Sequence, residues 1–291
     1  MPQLLQSHTT TLGEGMTIRR ALPNRSRRMV GAWCFLDHLG PVATTGDGLR
    51  VGPHPHIGLQ TFSWQIEGEV FHRDSLGSEQ LIRPGQVNLM TAGRGIAHSE
   101  ETPAEHGTTL HAAQLWIALP EAERRREPAF HHYPNLPVFD QDRWQISVLA
   151  GEFNGHSSPA LVYSPLVGLE LLAADAANTT LPLRADFEYG AMLLSGSATL
   201  AGQALEVGEL LYFEPGATAL EISTHAPARL LLLGGQPFSE EVLLWWNFVA
   251  RTPAEIRQAT TDWNAGNGFG EVHGYPGERL LAPEVPKLRG E

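Results

Sequence analysis

The chain predicts an all-β protein made of two related halves. Three observations carry that expectation: many short apolar segments, turn residues between them, and a spacing pattern that occurs twice. Leu59–Ile66 reads Leu-Gln-Thr-Phe-Ser-Trp-Gln-Ile, with apolar side chains mainly at alternate positions, the period of a strand with one buried face. Leu110–Leu119 ends in Gln-Leu-Trp-Ile-Ala-Leu before Pro120, and Gln145–Ala150, Ala191–Leu194, Leu210–Phe213 and Leu230–Leu233 are further strand candidates. Glu67-Gly68-Glu69, Pro84-Gly85, Ser195-Gly196-Ser197 and Pro215-Gly216 punctuate them. Short strands separated by such turns suit a sandwich or barrel.

The repeat is more specific. Gln65-Ile66-Glu67-Gly68-Glu69, Ile82-Arg83-Pro84-Gly85-Gln86-Val87 and Thr91-Ala92-Gly93 follow one another in the first half. Leu193-Leu194-Ser195-Gly196-Ser197, Leu205-Glu206-Val207-Gly208-Glu209-Leu210 and Glu214-Pro215-Gly216 do so in the second. Gly85 to Gly93 and Gly208 to Gly216 are both 8 residues. Two β domains are therefore expected, residues 1–135 and 136–291, joined through residues 120–145, where the charged run Glu121–Glu127 suggests a short helix. Thr252-Pro253-Ala254-Glu255 reads as a capping box with proline at the first helical position. Ile256, Ala259 and Trp263 form its apolar stripe, and Gly266 is its expected stop. Residues 275–291 read as a loose polar extension without functional signal.

Formal net charge is −12, which disfavours direct nucleic-acid binding because phosphate backbones repel it. Arg19, Arg20, Arg25, Arg27 and Arg28 form a local exception, read as a solvated face. Cys34 is the single cysteine, so no intrachain disulfide forms. No uninterrupted apolar run reaches the length of a spanning helix, and residues 1–19 lack a signal-peptide core. The expectation is a cytoplasmic protein with no membrane partner.

His54-Pro55-His56 and His98-Ser99-Glu100 carry the chemistry. Residues two apart in a strand project to the same face, and Pro55 holds its predecessor in an extended conformation. Gly93-Arg94-Gly95 before the second pair suits a tight barrel corner. Three imidazoles and a carboxylate match the ligand preferences of iron, nickel, copper, manganese, cobalt or zinc. Placed on the repeat, His54, His56, His98 and Glu100 correspond to Pro182, Arg184, Glu221 and Ser223, so one metal per chain is expected, in the N-terminal half. His8, His38, His72, His106, His131, His132, His156, His225 and His273 stand without ligand-like companions, while His111 is a weaker candidate to line the pocket. Phe62, Trp64 and Trp116 are candidate aromatic walls.

Gly52-Pro53-His54-Pro55-His56-Ile57-Gly58-Leu59-Gln60-Thr61 and Thr91-Ala92-Gly93-Arg94-Gly95-Ile96-Ala97-His98-Ser99-Glu100 resemble the two signatures of the pirin family. Phe71-His72-Arg73-Asp74-Ser75-Leu76-Gly77 and Ile82-Arg83-Pro84-Gly85 are also pirin-like, and the resemblance spans roughly residues 15–270. It implies a bicupin, two tandem cupin-type β-barrels with a short C-terminal helix. It also implies one divalent metal ion, iron before the others, held by His54, His56, His98 and Glu100. Bacterial pirins that resemble this chain often have quercetin 2,3-dioxygenase activity, which implies a flavonol-like aromatic substrate and O₂. Glu100 would then serve as ligand and catalytic base. Animal pirins imply the alternative, a non-enzymatic iron-dependent regulator acting through a protein partner. The chain departs from many pirins and cupins at Gln60, where they carry Glu, and an effect on hydrogen bonding around the metal is expected.

Overall fold

The computed structural model describes residues 2–13, 15–43, 48–103 and 109–288; His106 lies outside them. The strands are β1 (Gln3–Gln6), β2 (His8–Leu12), β3 (Met16–Leu22), β4 (Trp33–Ala43), β5 (Arg50–His56), β6 (Leu59–Glu67), β7 (Val70–Asp74), β8 (Glu79–Ile82), β9 (Val87–Thr91), β10 (Ile96–Glu101), β11 (Thr109–Ala118), β12 (Ala129–Tyr133) and β13 (Val138–Gln141). They continue as β14 (Trp144–Ala150), β15 (Glu152–Phe153), β16 (His156–Ser157), β17 (Leu166–Ala173), β18 (Ala177–Pro182), β19 (Glu188–Gly196), β20 (Ala198–Leu200), β21 (Gln203–Leu205), β22 (Glu209–Phe213), β23 (Ala219–Thr224), β24 (Ala228–Gly235), β25 (Leu243–Trp245) and β26 (Phe248–Ala250), before the helix α1 (Pro253–Asn264).

The repeat seen in the sequence is a repeat of topology. One seven-stranded sheet runs β12-β9-β6-β11-β4-β3-β2 and the other β1-β22-β19-β24-β17-β14-β13. The four-stranded sheets run β5-β10-β7-β8 and β18-β23-β20-β21. Position by position the strands correspond, with one exchange at the outer edge, where β12 occupies in one sheet the place that β1 occupies in the other. The two tandem cupin-type barrels are thus present.

Two compact units divide the chain, and neither is one continuous stretch. One comprises Met1–Thr10, Arg19–His38 and Tyr133–Phe238; the other Thr11–Ile18, Leu39–His132 and Ser239–Glu291. The expected cut at 135/136 falls near one crossing point, between His132 and Tyr133, and the chain crosses at four more. Residues 239–291, α1 included, thereby group with the barrel that carries His54. The reason lies in packing. Phe248, Ile256, Trp263 and Phe269 form one buried cluster with Ala97 of β10, so α1 buries its stripe on the outer face of the strand that carries His98.

The other unit closes on its own apolar interior, where Ile146, Leu169, Leu193, Leu211 and Leu232 meet Leu181, Leu200, Leu220 and Ile222 from the four-stranded sheet. The positions that correspond to the ligands lie outside this cluster: Pro182, Arg184 and Glu221 are exposed and Ser223 is half-buried, while their neighbours Leu181, Leu183, Leu220 and Ile222 fill the interior. The arginine-rich segment is only partly a solvated face. Arg20 grips Asp37 with Nε–Oδ1 and Nη2–Oδ2 both at 2.7 Å, and Arg27 lies over the Tyr212 ring while pairing with Glu214 at 2.6 Å.

Two local expectations resolve differently. The capping box forms as read, with Thr252 accepting from the Glu255 backbone and Glu255 accepting from Thr252. Glu121–Glu127 makes turns rather than a helix, because only seven residues separate Pro120 from Pro128, too few to offset helix nucleation. No described helix is long and apolar enough to cross a membrane.

Candidate metal centre

His54, His56 and His98 converge from β5 and β10, which pair antiparallel with His98 opposite His54 and Ile96 opposite His56. The register contains an irregularity on the Glu100 side of the His98–His54 pair. Two steps along β10, from His98 to Glu100, correspond to three along β5, from His54 to Val51. The extra residue is a β-bulge at Gly52-Pro53, and it returns Val51 to the same face as His54 despite odd spacing. The composition allows it: β5 is an edge strand, where proline removes no needed ladder bond. At Gly52 any Cβ would meet the Glu278 carbonyl at 2.6 Å. The tail is therefore not a loose extension here, since Leu280 N also donates to Pro53 O at 2.8 Å.

The corner before His98 is equally constrained. Gly93 has φ +53, and a Cβ there would lie 2.1 Å from the Arg126 carbonyl, which accepts from Arg94 N at 3.0 Å.

One nitrogen from each of the three imidazoles lies within 4.8 Å of the other two. Each ring is oriented through its other nitrogen. His54 Nδ1 donates to Gly52 O at 2.8 Å and His56 Nδ1 to Asn247 O at 3.0 Å. His98 Nδ1 faces His72 Nδ1 at 3.3 Å, and His72 Nε2 lies 3.1 Å from Asp74 Oδ2. Trp116 packs edge-on against the His56 ring at 5.1 Å.

Burial holds the imidazoles neutral. It pulls His54 down to about 4, and it pulls His56 and His98 well below the usual histidine value, with neighbouring imidazoles adding to the effect. His56 Nε2 and His98 Nε2 stand 3.0 Å apart. The His56 Nδ1 proton is committed to Asn247 O, so His56 Nε2 turns a lone pair toward His98 Nε2. Neutral imidazole nitrogens gathered this closely can share one cation. The donor set therefore fits a divalent transition metal.

Glu100 lies farther along the same face of β10. Its carboxylate is not among the atoms that converge within 4.8 Å. It lines a cavity of about 30 Å³ with Ser63, Gln65, His72, Asn88 and Gln114, closed at the far end by Leu39, Leu49 and Val70. Burial raises Glu100 to about 7, opposed by a hydrogen bond with Ser63.

The cavity also decides which candidate walls are real. Ser63 and Gln65 of β6 and Ala112 and Gln114 of β11 face inward. Alternation then turns Phe62, Trp64 and His111 to the opposite face, so of the aromatic candidates Trp116 alone meets the site. Gln60 shares that outer side of β6, where its Nε2 donates to Thr91 Oγ1 at 2.9 Å.

Sequence reasoning passed over His72 and Asp74, and over the Asn247 carbonyl. His72-Arg73-Asp74 has the same two-residue spacing as the ligand pairs, a signal that was legible. Asn247 carries none, because it is a backbone acceptor 191 residues from His56.

A bicupin with three buried, neutral, convergent imidazoles in one barrel defines a metal-competent cupin of the two-barrel class. Comparison with known proteins agrees. The family model "Pirin" matches residues 15–117 and "Pirin C-terminal cupin domain" residues 168–270, and the chain belongs to the pirin family. It is 49% identical to "Putative quercetin 2,3-dioxygenase PA1205" of Pseudomonas aeruginosa over 98% of this chain and 90% of that one. It is 39% identical to a "Pirin-like protein" of Caulobacter vibrioides over 86% of this chain and 88% of that one. A crystal structure of a quercetin 2,3-dioxygenase from Acinetobacter baumannii superposes with a TM-score of 0.97 at 50% identity, covering 99% of this chain and 97% of that one.

Proposed function

We propose that the chain is a metal-dependent dioxygenase of the quercetinase type, opening the ring of a flavonol-like substrate with O₂. The observation that carries this reading is the convergence of His54, His56 and His98 from two paired strands, with Glu100 farther along β10 beyond His98. Likeness to the Acinetobacter baumannii enzyme supports the substrate class. His54, His56 and His98 hold the ion, with Glu100 as fourth ligand, and iron is the metal assigned first. A bound divalent metal supplies Lewis acidity and, as iron, redox chemistry.

The chain's own groups do the rest. The Gly52 and Asn247 carbonyls and His72 keep each ligand ring turned correctly. Glu100 accepts the flavonol 3-hydroxyl proton. Trp116 shields the His56 ring from water. Ring opening consumes O₂ and releases carbon monoxide and a depside. The test is O₂ uptake and carbon monoxide release with quercetin by iron-loaded protein; turnover no greater than in His54→Ala overturns the proposal.

One observation favours a second reading, an iron-dependent regulator working through a protein partner in the cytoplasm. The cavity beside Glu100 is about 30 Å³, room for water and far below the roughly 300–1,000 Å³ of sites that enclose drug-sized ligands. A flavonol does not fit within that cavity as it stands. Stoichiometric co-purification of one protein partner, with no quercetin turnover, supports this second reading.

A further inference from the structure

His98 differs from the other two imidazoles in what turns its ring. His54 and His56 each give Nδ1–H to a backbone carbonyl, which can only accept. His98 Nδ1 instead meets another imidazole nitrogen, His72 Nδ1, at 3.3 Å. Two such nitrogens share one proton, and which ring carries it depends on what lies beyond. Beyond His72 Nε2 lies Asp74 Oδ2 at 3.1 Å. The three residues are buried and sit on paired strands, with His98 opposite Asp74 and Glu100 opposite His72. Phe130 stacks on the His72 ring at 4.4 Å and 16°, which holds that ring in place.

The carboxylate sets the direction. Asp74 can only accept, so His72 Nε2 carries a proton, and in the neutral ring His72 Nδ1 is then the lone pair. His98 Nδ1 then carries the proton between the rings, and His98 Nε2 is left as a lone pair facing His56 and His54. We propose that Asp74 and His72 are positioning residues that fix the tautomer of His98 and so present its Nε2 lone pair to the metal; the inference rests on the metal-binding reading of His54, His56 and His98.

Asp74 is built so that an amide cannot replace it. Its Oδ1 accepts from Leu76 N at 2.9 Å and Ser78 N at 3.0 Å. In Asp74→Asn the amide oxygen must stay with those two donors, which turns the amide NH₂ toward His72 Nε2. The order of donors then reverses: His72 Nδ1 becomes the proton carrier, and His98 Nε2–H points into the ligand cluster.

The experiment pairs Zn²⁺ affinity by chelator competition with ¹⁵N NMR of the histidine rings in metal-free, histidine-labelled protein. Wild type is expected to bind one Zn²⁺, to lose it in His54→Ala, and to show His98 as the Nδ1–H tautomer. Asp74→Asn is expected to bind Zn²⁺ about 10–100-fold more weakly, with the His98 signal moved to Nε2–H and the fold intact by circular dichroism. Should Asp74→Asn not fold, His72→Phe, which keeps an aromatic ring on Phe130, is expected to weaken Zn²⁺ about 10-fold. Wild type without Zn²⁺ binding overturns the metal reading and this inference with it. Tight wild-type binding with unchanged affinity and an unchanged His98 tautomer in the variants overturns the inference alone.

Discussion

Glu100→Gln is expected to stabilise the metal-free protein at alkaline pH. Glu100 has an ordinary value of 4.5 and is raised by burial to about 7 in the fold. The difference, 7 − 4.5 = 2.5 units, corresponds to about 3 kcal/mol at 1.36 kcal/mol per unit. Because the folded value is the higher one, ionisation opposes folding. The penalty is absent below about pH 4.5, grows between 4.5 and 7, and is constant above. Linkage with those two values gives a penalty of about 1 kcal/mol at pH 5 and about 3 kcal/mol at pH 8. Gln carries no charge and keeps Ser63 as partner, so it escapes this pH-dependent part. Urea unfolding of chelator-treated wild type and variant at both pH values reads the effect. The variant's relative stability is expected to rise by about 2 kcal/mol from pH 5 to pH 8. A difference that does not change with pH, or a wild type that gains on the variant at pH 8, refutes the reasoning. Under the proposed function, the same substitution is expected to lower flavonol turnover about 10²–10⁴-fold.

Other perturbations test the scaffold. Arg20→Leu strips the partner from Asp37, which is 1% exposed and which burial already raises against the pull of Arg20. The loss is expected to be on the order of 3 kcal/mol at pH 7. It shrinks as pH falls toward the carboxylate range, since protonation then removes the stranded charge; equal losses in urea at pH 7 and pH 5 contradict this. Gly93→Ala puts a Cβ 2.1 Å from the Arg126 carbonyl at φ +53. It is expected to lower stability by about 1–3 kcal/mol, and a neutral urea midpoint speaks against the close corner.

Much of the fold was readable because strand alternation and turn residues are local. Leu59–Ile66 shows its period without its neighbours, and the paired glycine spacings announce the duplication before any sheet is drawn. Other features were not readable. The side of β6 that faces inward depends on which strands close the barrel, so Phe62 and Trp64 looked like pocket walls while Ser63 and Gln65 were the residues lining the cavity. The grouping of residues 239–291 with the first barrel follows from burial of Phe248, Ile256 and Trp263 against Ala97, which no spacing encodes.

The sequence by itself determined the chemistry: which imidazoles pair, at what interval, and in which of two repeated halves. Two-residue spacing in an extended strand is enough to place His54 with His56 on one face. Tertiary structure alone decided how those pairs become a site. The bulge at Gly52-Pro53 brings β5 into register with β10, Asn247 reaches His56 from 191 residues away, and Asp74 and His72 stand behind His98. Covalent spacing sets the face a side chain takes, whereas hydrogen bonds between distant strands set what it meets there.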